Sequence, residues 1–153
     1  MLESFTRDLQ SGTRAGLLGA ARRAYLLAGA ALMVPGVLLG ALVATSPSPA
    51  VPGLAVMVLY VVAVALGVWA LRRALQVAGQ SGLPARQAAL TAAIQAATAP
   101  GVVFLLGCTL ARQPLILAGF WITAALLHAR VWLWLPGWVR EPEPANGERL
   151  PST

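Results

Sequence analysis

The stretch Ala24–Ala44, AYLLAGAALMVPGVLLGALVA, decides the fold. It runs 21 residues without a charge. At about 1.5 Å of helical rise per residue it covers about 30 Å, the thickness of a bilayer's hydrocarbon core. It is apolar all round, which suits a helix surrounded by lipid or deeply buried. Arg22-Arg23 precede it, and Thr45-Ser46-Pro47-Ser48-Pro49-Ala50-Val51-Pro52-Gly53 follow. Prolines at near-alternate positions remove helical hydrogen bonds and force a turn. A basic stretch before an apolar run also suits a signal peptide. The run exceeds the usual h-region of about 7–15 residues, however, and lacks a small-x-small cleavage site.

Three further apolar runs follow the same logic. They read as spans over about 54–71, 87–110 and 115–135. The second ends at Arg72-Arg73, with its helix continuing through Leu75 and Val77. Gly79, Gly82 and Pro84 then mark a loop. Ala111-Arg112-Gln113-Pro114 is a tight turn, and Pro136-Gly137 closes the fourth span. Across 153 residues 58% are hydrophobic and 10% charged, against about 25% charged in a soluble domain. The expected fold is an all-α integral membrane protein, a four-transmembrane-helix bundle of two hairpins. Residues 1–23 form an N-terminal segment in which Leu2, Phe5 and Leu9 suit a short interfacial helix. Residues 24–138 are the membrane domain, and 139–153 a disordered tail.

Charge placement sets the orientation. All eleven basic residues are arginine. Arg7, Arg14, Arg22, Arg23, Arg72, Arg73, Arg86, Arg130, Arg140 and Arg149 fall toward one side, and Arg112 alone toward the other. By the positive-inside rule both termini are cytoplasmic in a multi-pass protein of the cell membrane. The same arginines suit anionic lipid headgroups. Their position at the ends of apolar runs, on no soluble face, argues against nucleic acid despite the net charge of +6.

The inventory also excludes chemistry. The acids are Glu3, Asp8, Glu141, Glu143 and Glu148, so no carboxylate falls between Asp8 and Glu141. Proton relays and cation sites normally need one. One histidine and one cysteine do not make a zinc site. Every serine falls outside the spans, where it cannot serve an intramembrane Ser–His pair. No phosphate loop is present, and no metal or cofactor is expected. Cys108 reads as a small buried hydrophobe.

Two kinds of residue remain. Small residues recur at helical spacing, Gly29, Gly36 and Gly40 in the first span and Ala89, Ala93, Ala97 and Gly101 in the third. Such faces let backbones approach closely, within one bundle, in a homo-oligomer or against a membrane-protein partner. The second kind is polar: Gln95, His128 and Arg130. Gln95 and His128 each lie about 12 Å in from the basic side and Arg130 about 9 Å. Equal depth makes a Gln95 contact with His128 or Arg130 the candidate polar site. The competing reading has Arg130 snorkelling or stacking on Trp134, four residues on. Trp69, Trp132, Trp134 and Trp138, with Tyr25 in the first span, suit an aromatic belt at the same level.

The outline, four short spans with a basic loop after the second and a charged tail, is similar to that of the bacterial ATP synthase protein I family. The likeness is one of outline and of no motif. The expected function is a non-catalytic accessory or assembly subunit of a larger membrane complex, acting through helix–helix contacts. The alternatives are a small oligomeric channel or transporter and a membrane-embedded enzyme of lipid metabolism.

Overall fold

The structure, a computed structural model, describes residues 13–47 and 51–139. The interfacial helix expected on Leu2, Phe5 and Leu9 and the tail from Arg140 onward lie outside the described residues. Four helices make up the described chain: α1 (Arg14–Thr45), α2 (Gly53–Gly79), α3 (Ala85–Cys108) and α4 (Pro114–Trp138). Each is long and apolar enough to cross a membrane.

The helix ends follow from local chemistry. Thr13 caps α1, its hydroxyl accepting the Gly16 N–H at 3.2 Å. At the other end Ser46 precedes a proline, which disfavours helical backbone there, and Ser46 is extended. Between α3 and α4 the chain turns on backbone bonds from Leu110 to Gly107, Ala111 to Cys108 and Gln113 to Leu110. Pro114 opens α4, where its missing N–H costs nothing. The Gln113 side-chain amide donates to the Val51 carbonyl at 3.1 Å and ties this turn to the start of α2.

Two boundaries differ from expectation and a third follows it. Helix α1 begins at Arg14, ten residues before the expected span, because Leu17, Ala20 and Ala21 are buried against the bundle. Helix α2 continues past Arg72-Arg73 to Gly79, as expected, with Ala74 and Ala78 buried one turn apart. Helix α4 runs through Pro136-Gly137 to Trp138. There the Arg14 guanidinium donates to the Pro136 carbonyl at 3.2 Å and the Val139 carbonyl at 3.3 Å. A cation that satisfies terminal carbonyls also sits favourably in the helix dipole.

The packing has a hub. Helices α1, α2 and α4 all pack on α3, whereas α1 and α2 make little or no contact with each other. The arrangement is therefore three helices around a centre, and the first two do not form a packed hairpin. Half of the apolar window of α3 is buried, against 11% for α1. Composition explains this. Ala88, Ala89, Ala92, Ala93, Ala96, Ala97 and Ala99 are all buried, and small side chains let several neighbours approach one helix closely. Helix α4 crosses α3 obliquely. It starts beside α2, where Tyr60 bonds Thr123 at 2.8 Å and meets Phe120 edge-on. It ends beside α1, where Tyr25 meets His128.

Candidate functional site at the basic end of the bundle

The start of α1, the end of α2, the start of α3 and the end of α4 share one end of the bundle. Arginine and tryptophan pair there. The Arg22 guanidinium lies 4.9 Å from the Trp132 ring centre, Arg73 lies 5.3 Å from Trp69, and Arg130 lies 4.3 Å from Trp134. No carboxylate lies among the described residues, so aromatic faces take the role that acids play elsewhere. A guanidinium over an indole is attracted by the ring quadrupole, more strongly where water is excluded.

One of these pairs belongs to a larger cluster joining α1 to α4. The Tyr25 hydroxyl and His128 Nδ1 lie 2.9 Å apart, and either can donate. Trp132 stacks on His128 at 6.2 Å between ring centres, with Arg22 over its face. Tyr25 is fully buried, so its bond to His128 meets the requirement that a buried hydroxyl find a partner. The Arg22 Nε is buried with no hydrogen-bond partner, which leaves the guanidinium leaning on the ring. The cluster holds helices together.

The expected contact of Gln95 with His128 or Arg130 does not form. The three residues share a depth but not a direction. Gln95 points toward α2, beside Trp69, Ala70 and Arg73, and its Oε1 is buried without a hydrogen-bond partner. His128 turns to Tyr25 on α1 because α4 has crossed to that side of α3 by this level. Arg130 is exposed and stacks on Trp134, the competing reading. Sequence spacing gives depth along a helix but not the rotation of one helix against another, and rotation decided the matter.

The small-residue faces are used inside the bundle. Ala89, Ala93, Ala97 and Gly101 are buried. A Cβ added to Gly101 would meet Leu32 of α1 at 2.7 Å. On α1, Gly36 faces the Phe104 ring and Gly40 faces Cys108. Gly29 does not share this role, since nothing lies within 4 Å of where its Cβ would be. Cys108 is buried beside the two glycines. Among the described residues no three metal-ligating side chains come together.

Sequence spacing places Tyr25 only in the aromatic belt and Arg14 only among the arginines of the basic side; their contacts with α4 are what the structure adds. Tyr25 lies one turn beyond Arg22, as His128 lies one turn before Trp132, so the depth match applied to Gln95 also fits this pair. No sequence signal marks Arg14 as the cap of a helix more than a hundred residues away.

No family model matches the chain, and neither a curated protein nor a solved structure matches it.

Proposed function

We propose that this chain is a non-catalytic accessory or assembly subunit of a larger membrane complex, held in the cell membrane with both termini in the cytoplasm. The observation that carries the reading is the open side of α1. This helix meets the rest of the bundle along one stripe, and Leu27 and Leu38 on its other side are 66% and 62% exposed. Gly29 is open as well. A helix bound on one stripe only has the remainder of its surface available to helices of another protein. Several polar groups of the bundle are taken up by contacts within it. Tyr25 holds His128, Tyr60 holds Thr123, and Thr98 and Thr109 bond to carbonyls of their own helix. The orientation rests on seven described arginines toward one end (14, 22, 23, 72, 73, 86 and 130) against Arg112 in the turn at the other.

The test is site-specific photo-crosslinking from Leu38 in intact membranes, with mass spectrometry of the products. One recurrent protein adduct is expected. Adducts to lipid alone would overturn the reading. A self-adduct, with ion flux through the purified oligomer in liposomes, would move the assignment to a small channel.

A further inference from the structure

Helix α3 is covered on three sides and open on the fourth. Along that side run Gln87, Thr91, Ile94, Thr98 and Leu105, spaced three, four or seven residues apart and so on one helical face. None of them is buried, and Ile94 is 50% exposed. Two hollows lie along it. One, of about 350 Å³, is lined by Pro84, Arg86, Gln87, Leu90 and Thr91. The other, of about 290 Å³, is lined by Trp69, Arg73, Val77, Gln95 and Thr98 on the side toward α2. Thr91 and Gln95 are one turn apart, so the hollows lie end to end.

The chemistry of this groove changes along its length. Its basic part carries Arg73, Arg86 and the amide of Gln95. Beyond Thr98 only apolar side chains remain on the open face, Val102 and Leu105 among them. A ligand that fits must carry negative charge at one end and hydrocarbon at the other. We infer that the open face of α3, with the end of α2 beside it, is a specific site for one anionic glycerophospholipid, its phosphate at Arg73 and Gln95, its polar headgroup extending toward Arg86, and an acyl chain along Ile94 and Leu105. The inference rests on the membrane-embedded reading above and is independent of any protein partner.

Other occupants fit less well. A second copy would set Arg73 and Arg86 against the same residues of its twin, a like-charge contact with no carboxylate among the described residues to offset it. A foreign helix needs small residues for close approach, and this face presents Ile94 and Trp69 instead. The chain's own acidic residues Glu141 and Glu143 are followed by the polar run PANGER, which cannot cover the apolar part. A guanidinium binds a phosphate through paired N–H donors, and Trp69 beneath Arg73 holds that fork in place.

Native mass spectrometry of the full chain in a neutral detergent tests this, with phosphatidylglycerol and phosphatidylcholine of the same acyl chains as probes. The expected result is one phosphatidylglycerol per chain, retained under activation that strips phosphatidylcholine. Arg73→Gln and Arg86→Gln should each weaken it by about tenfold, the loss of one charge-assisted contact. Arg72→Gln removes the same charge at the same level outside the groove and should leave it intact. Equal retention of both lipids, or an equal effect of Arg72→Gln and Arg73→Gln, would overturn the site in favour of diffuse attraction to the headgroup region. Release of the protein from membranes by alkaline carbonate would instead overturn the membrane reading beneath it.

Discussion

Adding one methyl group at Gly107 tests the packing of α4 on the hub. A Cβ there would stand 2.6 Å from the Phe120 Cβ and 3.1 Å from its Cγ. Carbon atoms in good contact sit about 3.5–4.0 Å apart, so the gap is short by about 1 Å. The Phe120 ring cannot swing aside, because it is buried and held edge-on by Tyr60 at 5.1 Å. Its Cβ, moreover, moves only with the backbone of α4. Overpacking of this kind costs about 1–3 kcal/mol. Replacing glycine by alanine in a helix returns up to about 1 kcal/mol. Because the clash falls on a Cβ fixed to the backbone, the overpacking cost lies in the upper half of its range, and the net loss of about 1–2 kcal/mol shifts the unfolding equilibrium by about 5- to 30-fold. Gly119→Ala is the matched control, since its Cβ would meet nothing within 4 Å. Thermal unfolding in detergent, followed by tryptophan fluorescence, should show Gly107→Ala melting below the parent and Gly119→Ala at or above it. Equal melting of the two variants would refute the close approach of α4 to α3.

Other perturbations read other contacts. Tyr25→Phe and His128→Ala should each destabilise by about 0.6 kcal/mol, the usual worth of an interhelical bond in a membrane, and a double-mutant cycle should show them coupled. Gln95→Leu should leave stability unchanged or raise it in phosphatidylglycerol-free detergent, because a buried oxygen without a partner costs about 1–3 kcal/mol; a clear loss in the melt would mean that Gln95 has a partner after all. Arg14→Ala should lower the melting temperature and speed proteolysis near Val139, since two carbonyls at the end of α4 lose their donor. Reporter fusions after residue 80 should be active only in a cytoplasmic assay and those after residue 113 only in an exported one; the reverse pattern would invert the orientation.

The four helices were legible because each carries an uninterrupted apolar run, and lipid thickness sets the length such a run needs. Their ends were less so. Residues 14–23 look polar and glycine-rich as a string, and only the burial of Leu17, Ala20 and Ala21 shows why they stay helical. The alanine stripe of α3 announced close packing but not the number of helices it would receive. Alanine presents the same small face in every direction, so the role of α3 as hub had to come from three dimensions. Arg130 on Trp134 was readable because both residues sit on one helix at a fixed spacing. Tyr25 with His128 was not, because that pair depends on where α4 crosses.

The hub follows two of its three partners in chain order. When α1 and α2 have emerged, neither has a surface to pack on, since they make little or no contact with each other even in the finished fold. Two apolar rods must then wait in the bilayer until Ala85–Cys108 arrives between them. The fold cannot grow hairpin by hairpin from its N-terminus. Assembly is postponed until α3 exists, and it is completed only when the end of α4 comes within reach of Arg14. During that interval Ala63 and Gly67 of α2 and Gly36 of α1 are bare. A truncated product ending before Ala85 would expose the same surfaces permanently.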